Sequence, residues 1–177
     1  MFAVLVIIAV LLAIAIAAGL FAASRKPDAF QVQRKAVIAA PPEAIFPLIA
    51  DFRRWVGWSP WENKDPAMKR TFAGPASGAG AVYAWDGNRN VGAGRMEILE
   101  AMPSRIVIKL DFIKPFEGHN IAEFVLQPQG SSTEIVWTMR GPSTLMFKAM
   151  GLFMDCDKMI GKDFEAGLAG LKRMAAA

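Results

Sequence analysis

The side chains able to do acid, base or nucleophilic chemistry are few and far apart. His119 is the only histidine and Cys156 the only cysteine among 177 residues. That excludes an intrachain disulfide, a multi-cysteine metal site and a multi-histidine metal site. A general acid or base must sit within reach of a cavity, and three positions are candidates. His119 follows Gly118 at a strand entrance, where an ordinary turn histidine serves equally well. Glu123, with Arg95 and Glu97, supplies an acid–base pair if it faces inward, yet it alternates with the apolar Phe124 and so points to the opposite face. Asp157 lies within the apolar arc of a C-terminal helix, where it either caps a helix break or places a carboxylate in the interior. No Ser/His/Asp set, phosphate-binding loop or metal-ligand spacing emerges. Catalytic residues therefore stay unassigned, and no metal or cofactor is implied.

The aromatic residues say more. Trp55, Trp58 and Trp61 fall within seven residues, Tyr83 and Trp85 share a strand face, and Trp137 lies on an apolar one. The chain carries 5 tryptophans, 12 phenylalanines and 10 methionines. Ordinary core packing uses such residues, and so does an adaptable pocket for a hydrophobic ligand. Cys156 reads as a small buried hydrophobe. Gly161, Gly167 and Gly170 on the C-terminal helix would leave space rather than fill it.

The elements that must position these groups are legible as periodicity. Residues 143–174 place Met146, Ala149, Met150, Phe153, Cys156, Ile160, Phe164, Leu168 and Leu171 on one arc at ~100° per residue. Pro142 ends what precedes, Ser143 is a candidate N-cap, and Gly151, Asp155 and Asp157 divide the helix into two pieces lying on one surface. Upstream, strand-like runs occupy 30–39, 68–72, 81–85, 95–100, 105–113, 120–127 and 133–140, with turn residues between them. Ile106, Ile108, Leu110 and Phe112 share one face; so do Ala122, Phe124 and Leu126, and likewise Ile135, Trp137 and Met139. Linkers this short force antiparallel pairing. Between the first two strands, Pro41-Pro42 opens a short helix over 43–50, and Asp51 caps a second turn. The fold class is α+β: a curved, seven-stranded antiparallel sheet around a long C-terminal helix, with two short helices between strands 1 and 2.

Residues 1–23 form a separate segment without a charged side chain. At ~1.5 Å per residue it is ~35 Å long as a helix, against a hydrocarbon core of ~30 Å. It reads as a retained single-pass transmembrane anchor, the alternative being a signal peptide, for which it lacks a basic n-region. Residues 24–29 are a linker and 30–177 the folded domain. Arg25, Lys26, Arg34 and Lys35 follow the span and nothing basic precedes it, which places the domain on the cytoplasmic side. The net charge of +4 has no basic run or nucleic-acid motif behind it. It suits an anionic membrane surface, and no nucleic acid is expected as partner.

Three stretches carry a family resemblance: AAPPEAIFPLIADFRRWVGWSPWENKDPAMKRTFAG from residue 39, GAVYAWDG from residue 80, and GLFMDCDKMIGKDFEAGL from residue 151. Over residues 31–173 the chain resembles the polyketide cyclase/dehydrase branch of the START-like (SRPBCC) superfamily, whose members share the helix-grip fold. The resemblance implies a pocket between the concave sheet and the gripping helix. The expected lining is Tyr83, Trp85, Ile108, Leu110, Phe124, Trp137, Phe153 and Phe164, with Trp58 near the mouth. It implies binding of a hydrophobic small molecule or lipid by a domain tethered through residues 1–23. Two alternatives stay open. One is a cyclase- or dehydrase-type enzyme using Asp157, Glu123 or His119. The other is a protein-partner module of the chaperone-activator kind.

Overall fold

The computed structural model describes residues 2–176. Helix α1 (Phe2–Ser24) leads into strand β1 (Ala29–Ile38). Helix α2 (Pro42–Ala50), a 3-10 helix (Phe52–Gly57) and α3 (Pro60–Lys64) follow. Six strands come next: β2 (Lys69–Ala73), β3 (Val82–Asp86), β4 (Ala93–Met102), β5 (Arg105–Lys114), β6 (Gly118–Gln129) and β7 (Ser132–Pro142). Helices α4 (Leu145–Met150) and α5 (Cys156–Ala175) close the chain. The strands form one antiparallel sheet in the order β1-β7-β6-β5-β4-β3-β2. Shifts of register in β4 at Ala93/Gly94 and Ile98/Glu100 add local twist to the sheet. This is the helix-grip architecture expected from the order of the elements.

Alternation fixes which face packs. Ala122, Phe124 and Leu126 of β6 stand opposite Met139, Trp137 and Ile135 of β7, and all six are buried. They meet Phe164, Leu168 and Leu171 of α5, which are also buried. Asp155 caps α5, its carboxylate accepting from the Lys158 backbone N–H at 3.0 Å. Thr144 caps α4 by accepting from Phe147 N–H. Neither Ser143 nor Asp157 is a cap. Ser143 instead donates its backbone N–H to the Asp28 carbonyl at 2.8 Å, and the exposed Asp157 carboxylate accepts from Arg34 at 2.9 Å.

Two further expectations for the C-terminal helices are corrected. The apolar arc does not stay on one surface: the turn at 151–155 separates α5, on the sheet, from α4, which packs against α1 and sets Phe147 on Phe30 at the β1 edge. Met146 and Phe153 are exposed as a result. The α5 glycines do not leave space; they permit close approach. A Cβ at Gly167 would stand 2.7 Å from the Trp137 ring, and one at Gly170 would stand 2.4 Å from the Trp58 carbonyl oxygen. At Gly161 the same position is taken by the Arg34 guanidinium.

Helix α1 contributes one buried side chain, Ala23; its other described residues, apolar except for Ser24, are exposed or half-buried. Removing residues 1–24 should therefore leave the sheet intact. Losing one buried methyl group is worth ~1 kcal/mol, so the unfolding midpoint in detergent should fall by no more than ~4 °C. A larger drop in a thermal melt would make α1 part of the domain core.

Candidate functional site

The α2 and 3-10 segment fills one end of the concave sheet. The last backbone carbonyls of a helix lack intrahelical donors, and here two tryptophans supply them. Trp55 Nε1 donates to the Ile49 carbonyl and Trp58 Nε1 to the Leu48 carbonyl, each at 2.9 Å. Both rings stand edge-on to Phe124, with centroids 6.2 Å away. This plug packs Phe124, which like Ile108 faces inward yet is fully buried and does not border the open space at the other end of the sheet. It also corrects the placement of Trp58, which is a buried anchor and not a residue of the mouth.

The other end of the sheet is open underneath. A cavity of about 490 Å³ lies there, walled by Tyr83, Trp85, Met96, Leu110, Ala122, Trp137 and Met139 from the sheet and by Ile160 and Phe164 from α5. Phe30, Trp61 and three residues of α4 (Met146, Phe147, Met150) add to the apolar wall. Arg89 and Asn90 of the β3–β4 loop, Lys114 at the end of β5 and Glu117 of the β5–β6 loop, all exposed, frame its rim. Of the residues named from sequence, Tyr83, Trp85, Leu110, Trp137 and Phe164 border this space. Phe153 does not: it is 88% exposed in the turn before α5, because that turn leaves the sheet.

Trp137 is the centre of the wall. Phe164 stacks on it at 4.0 Å with an interplanar angle of 7°, and Phe124 lies at 4.7 Å on a tilt of 29°. Trp58 and Trp61 meet it edge-on at 5.7 Å and 5.9 Å. Trp137 Nε1 is buried and has no hydrogen-bond partner among the described residues.

The polar features of the wall were missed in the sequence. Glu62, on the five-residue α3, is buried and accepts from Tyr83 Oη and from Arg70 Nε, both at 2.7 Å. Burial, and then the bond to Glu62, pushes the Tyr83 phenol far above its ordinary pKa, so it stays a proton donor. Asn120 is also buried and borders the cavity. Nothing in a helix of one turn marks Glu62 as inward-facing; only the pairing of β2 with β3, which brings Arg70 opposite Trp85 beside Tyr83, makes it so. Tyr83→Phe should cost ~1.5–3 kcal/mol, the range for losing a hydrogen bond to a charged group. A urea titration showing no loss would mean that water replaces the phenol.

The three acid–base candidates named from sequence border other surroundings. His119 is exposed and shares a hydrogen bond with Asp111 at 2.8 Å; that bond raises its pKa above the ordinary histidine value. Glu123 faces outward between Arg105 and Arg140, and the Arg105 bond holds its carboxyl below the usual range. Arg95 and Glu97 pair with each other at 2.8 Å. None of these, nor Asp157, borders the cavity. Among the described residues no three metal-ligating side chains converge.

The geometry has parallels. Residues 29–176 match the family model described as polyketide cyclase / dehydrase and lipid transport. A Chromobacterium violaceum protein of solved structure is 15% identical, with a TM-score of 0.59 over 86% of this chain and 99% of its own. A Staphylococcus aureus protein of unknown function is 13% identical, with a TM-score of 0.61 over 84% of this chain and 94% of its own. The di-domain ARO/CYC StfQ of the steffimycin biosynthetic pathway is 9% identical, with a TM-score of 0.60 over 84% of this chain and 51% of its own. No curated protein matches. At these identities the solved structures speak for the fold alone. The family match over nearly the whole domain, on a helix-grip sheet with an apolar cavity under its helix, makes this chain a member of the polyketide cyclase / dehydrase and lipid transport family.

Proposed function

We propose that this protein binds a hydrophobic small molecule or lipid in the cavity between the sheet and α5, while α1 holds it at a membrane. One observation carries the reading: about 490 Å³ of space walled by aromatic, leucine and methionine side chains, a size and lining typical of ligand pockets. An unfilled apolar cavity forfeits dispersion contacts, so a fold that keeps one has a use for it. Each buried ligand methylene gains ~0.8 kcal/mol. An acyl chain or polycycle thus reaches the roughly −8 kcal/mol of micromolar binding after association costs. Helix α1 is 23 residues long and apolar enough to cross a membrane, and tethering raises the effective concentration of the domain where such ligands reside. Arg25, Lys26, Arg34 and Lys35 favour the cytoplasmic side for the domain.

A cyclase or dehydrase reading, in the manner the family name allows, would rest on Glu62 and Tyr83. Tyr83 has one proton and gives it to Glu62 in a hydrogen bond, and its raised pKa keeps it there. The phenol therefore offers a ligand only acceptor lone pairs, which suits binding better than proton transfer.

The test is organic-phase extraction of the natively purified protein with mass spectrometry, followed by titration of the stripped protein with oleic acid and with an aromatic polycycle. A co-purifying apolar compound is expected, with a shift in tryptophan emission and a melting temperature that rises with ligand concentration. If extraction yields nothing and neither signal moves across a broad panel of apolar compounds, the interior is an ordinary core. The domain would then act through its surface.

A further inference from the structure

We infer that α4 and the turn joining it to α5 form a second membrane contact, seated in the leaflet from which α1 emerges. The mouth of the cavity then opens toward lipid. The inference rests on reading α1 as a membrane span and adds a surface that α1 does not require. Leu145 and Met146 of α4, Leu152, Phe153 and Met154 of the turn, and Met159 of α5 are between 37% and 88% exposed. Six large apolar side chains within residues 145–159, on α4, the turn and the first turn of α5, form a surface, whereas scattered ones would need no explanation. Two of them, Met146 and Met159, also border the cavity, so surface and mouth are continuous.

The occupant follows from what holds this surface in place. Only residues 25–28 separate α1 from β1, a span of at most ~18 Å when fully extended. Three contacts shorten it further and tie it to α4. Lys26 Nζ donates to the Gly151 carbonyl, Lys148 Nζ pairs with the Asp28 carboxylate, and Ser143 N–H donates to the Asp28 carbonyl. Helix α1 itself packs against α4. The exposed side chains therefore lie at the level where the span leaves the hydrocarbon. There an apolar face embeds by ~5–10 Å and basic residues such as Arg25 and Lys26 meet anionic headgroups. A bilayer fits this position because α1 already brings one there.

The test uses the full chain in vesicles of phosphatidylcholine and phosphatidylglycerol, with Cys156→Ser as background. An environment-sensitive fluorophore is attached at Phe153→Cys and, as a second probe, at Leu145→Cys. Val56→Cys is the control, since Val56 is exposed beside Gly57, which lies against Met174 at the opposite end of α5. Labels at 153 and 145 should emit to the blue of the label at 56. Spin-labelled phosphatidylcholine should quench them several-fold more strongly, and iodide several-fold less. Water-like emission at 153 and 145, equal to that at 56, would overturn the inference. So would protection from iodide without quenching by lipid, which would mean that a second copy or another protein covers the surface. The readout needs no ligand. Lipid contact at 153 in a protein that fails every ligand titration would refute the binding reading and uphold this surface.

Discussion

Replacing Phe164 by alanine should cost ~3–5 kcal/mol, the range for emptying a fully buried aromatic site. The ring is 1% exposed, lies flat on Trp137 at 4.0 Å and meets Trp61 edge-on at 6.3 Å. Such aromatic pairs contribute beyond the area they bury. The site cannot collapse cheaply, because Gly167 and Gly170 already bring α5 as close to the sheet and 3-10 segment as their backbones allow. The void left by the ring would merge with the existing cavity, which Phe164 borders. Lys162, two residues earlier and exposed, is the control: Lys162→Ala should change stability by less than ~0.5 kcal/mol. The measurement is a pair of urea titrations. Small and equal losses at the two positions would mean that α5 is not held through this stack.

How far the sequence reaches is set by the kind of signal each element carries. The strands were legible because period-two alternation and short linkers leave one solution. Ile106, Ile108 and Leu110, or Ile135, Trp137 and Met139, have only one side to share. The boundaries ran short: β4 begins at Ala93 and β6 at Gly118, where glycine and polar residues hide pairing that the neighbouring strand imposes. The second half of the C-terminal helix was equally legible, since Phe164, Leu168 and Leu171 repeat at helical spacing and all are buried.

An apolar arc, however, says that a face needs a partner and not which partner. Met146 and Phe153 continue the arc of α5, yet Met146 ends half exposed at the edge of the cavity and Phe153 ends exposed in the turn. The same limit hid the cavity boundary. Ile108 and Leu110 are two residues apart on one face, but Ile108 is fully buried in the core while Leu110 borders the cavity. Where a wall meets empty space depends on an element from elsewhere in the chain. Glu62 was hidden for a related reason, as its two donors, Tyr83 and Arg70, come from different strands.

Ala122→Trp should abolish ligand binding while the fold persists. Ala122 is buried on β6 between Ile108 and Met139 of the flanking strands, and its methyl group borders the cavity. An indole at this position has open space above it, bounded by Trp137, Met139 and Leu110. It would occupy the volume a ligand needs. Two effects then oppose each other. Overpacking a filled core costs ~1–3 kcal/mol, whereas filling a void restores dispersion contacts that its lining had lacked. With space available the second should offset the first, leaving the unfolding midpoint of the ligand-free protein within ~4 °C of the parent. Oleic acid should then no longer raise that midpoint or shift tryptophan emission, the emission change being read against the spectrum of the variant itself. If the variant still binds, the ligand sits elsewhere and the cavity is not the site. If it unfolds, the space beside Ala122 is too tightly bounded to admit a large group, and the case for a ligand there falls with it.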